Sequence, residues 1–128
     1  MALHNDIGKQ GEEAAIDFLR KNGHEILANN YRDGKAEIDI ISKHKNAIVF
    51  TEVKTRSNNF FGNPEEFVDR KKKKLMIQAA EEYMQRNNSD ADIRFDIISI
   101  LLEKGKMNIN HIQDAFFNLD NEQDDIYH

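Results

Sequence analysis

The chain has no cysteine, so disulfides, thiolate metal sites and cysteine nucleophiles are excluded, and the pattern suits a reducing cytoplasm. It has a single proline, Pro64, in a stretch "FFGNPEE" that reads as a loop. No apolar run approaches the ~20 residues a membrane-spanning helix needs. The N-terminus "MALHNDIGKQGEE" lacks the basic-then-apolar layout of a signal peptide, so a soluble, cytoplasmic protein is expected. A basic surplus is missing too: the formal charge is −5, which argues at first against a polyanionic partner.

The distribution of that charge changes its meaning. Asp114, Asp120, Glu122, Asp124 and Asp125 follow Gln113 with no Lys or Arg among them, so the tail carries the whole deficit and residues 1–112 are neutral. Between Lys54 and Lys74, the bases Lys54, Arg56, Arg70, Lys71, Lys72, Lys73 and Lys74 outnumber Glu65, Glu66 and Asp69, a local +4. The run "RKKKK" taken alone reads as a solvated helix face.

At 128 residues with 39% hydrophobic content, the chain fits one domain able to bury a core without staples. Ile7, Gly11, Ala14, Ala15, Phe18 and Leu19 recur at helical spacing, with Gly23 as a stop. "HEILANNY", Ala36–Ile41 and Ala47–Lys54 read as strands of a β-meander. A helix is expected from Asp69 to about Arg86, then a strand Arg94–Leu102 and a short fifth strand Met107–Ile112. The order α-β-β-β-α-β-β predicts an α/β fold with a mixed central sheet flanked by helices, the fourth strand parallel to its neighbour. Residues 1–119 are expected to form the single domain and 120–128 an acidic, mobile tail.

Two of the strands carry charge at their centres. Glu37 and Asp39 share one face of the second strand, and Glu52 and Lys54 share a face of the third with Ile48 and Phe50. Asp39 and Glu52 converge only if paired residue numbers sum to an odd value; a turn centred on Lys45-Asn46 gives 91 and sets them opposite one another, whereas a sum of 88 separates them. Two converging carboxylates repel unless a cation lies between them. Mg²⁺ or Mn²⁺, with its preference for hard oxygen ligands and a substrate phosphate, suits such a pair. Lys54, about 6.6–7 Å along the strand from Glu52, is then placed to stabilise developing negative charge. Each residue alone reads as an ordinary ion-pair or strand-end group, but charge at strand centres is costly unless it is used.

Asp39 followed thirteen residues later by Glu52-Val53-Lys54 resembles the (D/E)-X-K signature of the PD-(D/E)XK nuclease superfamily, whose core has the restriction-endonuclease-like order α-β-β-β-α-β. More closely, "GKQGEEAAIDFL", "AEIDIIS", "VFTEVKTR", "FDIISI" and "HIQDAF" resemble the YraN family, uncharacterised bacterial proteins similar to archaeal-type Holliday junction resolvases. The resemblance runs from Gly8 to about Phe116. It implies Asp39 and Glu52 as metal-binding carboxylates, Val53 within the metal set, Lys54 as catalytic lysine, and Glu12 as a further acid at the same centre. Glu12 reads equally as a solvated helix residue. Glu37 matches a family glutamate, with pairing to a base as its ordinary reading. Asp96 and His111 match family positions and read as structural, and His4, His24, His44 and His128 show no ligand spacing. The family commonly has glycine where this chain has Ala36, a change that bears on the approach of a substrate backbone.

Lys72 falls on the apolar stripe of its helix with Val68, Leu75 and Met76, in reach of a bound phosphate, while Lys71, Lys73 and Lys74 point outward. Together with Arg56 these lysines form the expected nucleic-acid contact. The expected function is metal-dependent hydrolysis of DNA phosphodiester bonds, branched or structured DNA being one substrate form. A non-catalytic nucleic-acid-binding module of the same fold is the alternative, and an interaction protein using the acidic tail or an apolar face is a third. Oligomeric state, monomer or homodimer, stays open.

Overall fold

The computed structural model describes residues 2–57 and 68–116, with side chains from Ile7 onward. The expected "FFGNPEE" loop and the tail 120–128 lie outside the described residues. Helix α1 spans Ala2–Lys21 and helix α2 Arg70–Arg86; the strands are β1 Glu25–Asp33, β2 Ala36–His44, β3 Ala47–Ser57, β4 Asp92–Glu103 and β5 Lys106–Phe116. The five strands form one sheet in sequence order. β1, β2 and β3 are an antiparallel meander, β3 and β4 run parallel, and β4 and β5 are antiparallel. This is the mixed α/β sheet with two helices expected from the sequence, consistent with a restriction-endonuclease-like core.

Each helix covers one face. α1 lays Ala15 and Leu19 onto Ile40, Val53, Ile98 and Ile100. α2 lays Met76, Ala79, Ala80 and Met84 onto Ile41, Ile48, Phe50, Phe95 and Ile97. α1 lies so close to β3 that a Cβ on Gly11 would stand 1.9 Å from Thr55 Oγ1, which only glycine avoids. The helix ends in a Schellman turn: Gly23 takes φ +89°, His24 N–H donates to the Leu19 carbonyl at 2.9 Å and Gly23 N–H to the Arg20 carbonyl at 3.2 Å. At the start of α2 the Asp69 carboxylate accepts from Lys72 N–H at 2.8 Å, an N-cap that fixes which lysines occupy the first turn.

The β2–β3 hairpin turns on Lys45-Asn46, Lys45 having φ +56°, and its pairs run from His44–Ala47 to Ile40–Thr51. Every pair sums to 91, the register that sets Asp39 against Glu52. The ladder stops at Ile40–Thr51, and there the alternation of β2 breaks: Ile40 packs on the α1 side, while Ile38 and Ala36 pack on the α2 side. The methyl of Ala36 is therefore part of the core on the α2 side.

The fifth strand is longer than expected. A bulge opposite Phe95–Ile97 takes Asp114 to φ +55° and lets pairing continue to Phe95–Phe116.

Candidate active site

Beyond the end of the β2–β3 ladder, side chains take over from the backbone. The Asp39 carboxylate accepts the Val53 N–H at 2.8 Å. Glu52 is buried, 2% exposed, and its carboxyl lies within hydrogen-bonding reach of Asp39. Burial, and then the charge of Asp39, push the Glu52 carboxyl up to about 7. Asp39 is raised as well, by burial, against the pull of the Val53 N–H. Among the described residues, Glu52 Oε1 has no hydrogen-bond donor. The site thus holds two acids that cannot both ionise cheaply and one buried oxygen still lacking a partner.

The cation at this pair is Lys72. Its Nζ lies 2.5 Å from Glu52 Oε2, and Asp39 adds to the field that holds it charged; burial opposes this, yet the Lys72 pKa is raised. The sequence placed Lys72 toward a substrate phosphate. In the structure its ammonium lies on Glu52, with the Lys72 backbone N–H held by the Asp69 cap at the start of α2.

Lys54 is half-buried on the Glu52 side of β3 by strand alternation. Glu12 approaches from α1: its side chain hydrogen-bonds Asn30, and burial followed by the Asp39 charge raises its pKa. Among the described residues no three carboxylate or imidazole groups cluster as a complete ion cage, so Glu12 stands outside a compact set with Asp39 and Glu52. Val53 contributes its N–H to orienting Asp39, while its side chain packs beneath α1. Glu37 pairs with Arg32 at 3.3 Å.

The donor set suits a hard divalent cation: two carboxylates on adjacent strands and an orphaned buried oxygen. Asp39 and Glu52 are the residues that would hold it.

The basic residues divide. Lys71 and Lys74 are exposed, and Arg56 is half-buried near the end of β3. Lys73 departs from the outward orientation expected of it: it is half-buried, with Nζ 5.5 Å from the Phe116 ring centroid. The extension of β5 to Phe116 brings that ring under the helix, which the shorter expected strand could not do. Lys35, Glu37, Asp69, Lys71, Lys72, Leu75 and Met76 line a groove of ≈ 340 Å³ beside the acidic pair.

On the α1 face, sequence reasoning missed a second polar cluster. Asp96, fully buried, takes Arg94 Nε and Nη2 at 2.9 Å each, His111 Nε2 at 2.7 Å and the Asp114 N–H at 3.0 Å. These partners hold its pKa below the usual value although burial works against them. Arg94 Nη1 lies 3.1 Å from His44 Nδ1, His44 stacks on His24 at 4.2 Å, and His24 Nδ1 lies 2.8 Å from Ser42 Oγ. Arg94 and Asp96, two apart on one strand, were the available signal; the histidines come from separate elements. The Asp96 carboxylate is engaged by Arg94, His111 and the Asp114 N–H, a pattern that suits a structural role.

No helix among the described residues is long and apolar enough to cross a membrane. The model of the uncharacterised protein family UPF0102 matches residues 11–100. A UPF0102 protein of Christiangramia forsetii is 49% identical over 117 residues, covering 91% of this chain and 98% of that protein. Relatives from Flavobacterium psychrophilum, at 47%, and Bacteroides thetaiotaomicron, at 45%, each cover 91% of the chain and 98% and 97% of their own lengths. With a family match across most of the chain and identities of this size, the chain belongs to the uncharacterised UPF0102 family, which is the YraN family its motifs resemble.

Proposed function

We propose that the protein is a metal-dependent endonuclease acting on DNA, with Asp39 and Glu52 holding Mg²⁺ or Mn²⁺. The observation that carries the reading is the pairing of half-buried Asp39 with buried Glu52 on adjacent strands, with one Glu52 oxygen unpartnered among the described residues and Lys54 on the same strand face. When bound, such an ion supplies Lewis acidity toward a phosphoryl oxygen and makes water more acidic. Asp39 is held in position by the Val53 N–H, so its second oxygen keeps a fixed direction. Lys54 stabilises charge developing on the phosphate, and Lys71 and Lys74 bring the backbone in by salt-dependent attraction. Glu12, from α1, adds negative potential at the rim and polarises the approach of a cation.

The Lys72–Glu52 contact favours one other reading, a nucleic-acid-binding module whose buried Glu52 is already paired with a lysine. Nicking of linear, flapped and four-way-junction DNA, with Mg²⁺ or Mn²⁺ and with EDTA, separates the two. The endonuclease gives metal-dependent nicking by wild type that Asp39→Asn and Glu52→Gln abolish, with DNA binding kept. Activity equal in wild type and both variants, or none on any substrate with binding intact, leaves the binding module.

A further inference from the structure

We propose that Lys72 is the resident counter-ion of the acidic pair, which a divalent cation displaces into the adjoining groove, where it meets a phosphate of the substrate. The inference rests on the metal reading above and adds how the site is occupied before the ion arrives and what the displaced group then does.

Lys72 Nζ sits 2.5 Å from Glu52 Oε2, and both Glu52 and Asp39 hold it there. One Asp39 oxygen is committed to Val53 and Glu52 Oε2 to Lys72, so an ion drawing on both acids through their remaining oxygens binds the same Glu52 carboxylate as the ammonium and stands close to it. A divalent ion and an ammonium within about 4 Å repel strongly in a partly buried site, so the two occupancies exclude one another. The exchange requires only side-chain motion. The Asp69 cap pins the Lys72 backbone, while the side chain is 40% exposed against 3% for Glu52, which stays in place.

The destination is also present. Lys72 already lines the ≈ 340 Å³ groove, with Lys35 and Lys71 on its walls. Of the acids there, Glu37 is paired with Arg32 and Asp69 caps the helix, so a third ammonium makes the groove a site for a phosphate. Metal and DNA then bind cooperatively through one side chain, each favouring the released lysine.

Mn²⁺ titration followed by electron paramagnetic resonance at pH 8, with folding checked by circular dichroism, compares wild type with Lys72→Met. Removing the competitor tightens Mn²⁺ binding by about tenfold or more, the scale of a hydrogen bond to a charged group. Equal or weaker binding by a folded variant overturns the exchange and leaves the metal reading standing; no Mn²⁺ binding by either protein overturns both. A second measurement needs only wild type: acylation of lysine amines, read by mass spectrometry, accelerates several-fold at Lys72 on adding Mn²⁺ while exposed Lys104 is unchanged. An unchanged Lys72 rate overturns the exchange. For the phosphate half, the gain in affinity for a short DNA duplex on adding Ca²⁺ is about threefold or more greater in wild type than in Lys72→Met. Equal gains remove Lys72 from the phosphate.

Discussion

The Asp39 carboxylate accepts the Val53 N–H at the point where the β2–β3 ladder stops, so one acid serves as a backbone partner and as half of a charged pair. These duties separate on mutation. Asp39→Asn keeps an acceptor for Val53 and removes the charge that repels Glu52, leaving the Lys72 pair intact; stability rises by about 0.5–2 kcal/mol. Asp39→Ala leaves the N–H without its acceptor and costs about 1–3 kcal/mol. Urea unfolding gives both values, and destabilisation by the Asn variant as large as by the Ala variant contradicts repulsion.

The α1–β3 crossing is set by contact. Gly11→Ala puts a methyl 1.9 Å from Thr55 Oγ1 and destabilises by about 1–3 kcal/mol. Adding Thr55→Ala removes that oxygen and recovers most of the loss. A double mutant whose loss is simply the sum of the two singles would place the strain elsewhere.

Two buried groups give stability opposite pH slopes. His24 is lowered from 6.5 to about 4, by burial first, so the unfolded chain binds more protons between those values; its contribution is lost as pH falls from about 6.5 toward 4. Glu52 is raised from 4.5 to about 7, so the folded state binds more protons there; its contribution is present below 4.5 and lost as pH rises through about 7. Relative to wild type, His24→Gln retains more stability as pH is lowered to 4, and Glu52→Gln retains more as pH is raised to 7. Denaturant midpoints at pH 4.5, 5.5, 6.5 and 7.5 show whether the two differences have opposite signs.

Lys71 and Lys74 are exposed, whereas Lys73 lies over Phe116. Lys71→Gln with Lys74→Gln weakens DNA binding and flattens the log affinity versus log salt slope by roughly 1–2 without changing stability. Lys73→Gln costs about 0.5–1 kcal/mol of stability instead, from the lost cation–π contact. Anisotropy across a salt series and thermal melts read the two effects, and an unchanged slope in the double variant moves the DNA contact away from α2.

The sequence determined what depends on short range. Period-two alternation is local, so it placed Lys54 on the Glu52 side of β3; of the two hairpin registers the sequence allowed, the structure has the one turning on Lys45-Asn46, whose pairs run to Ile40–Thr51. The helical spacing of α1 and the parallel β3–β4 connection were readable for the same reason. Only the tertiary structure decided which first-turn lysine closes onto the acids. Lys72 and Glu52 are twenty residues apart, and their meeting depends on how far α2 slides over the sheet before Met76 and Ala79 find their places in the core. The Asp96 cluster needed the same kind of information, because His24 after α1, His44 on β2 and His111 on β5 are distant in sequence and only packing brings them around one buried carboxylate and its arginine. The orientation of Lys73 followed from a bulge at Asp114 that carries β5 on to Phe116. Periodicity assigns a side chain to a face; the height at which it stands above another element is set by volume and close packing, which no window of sequence contains.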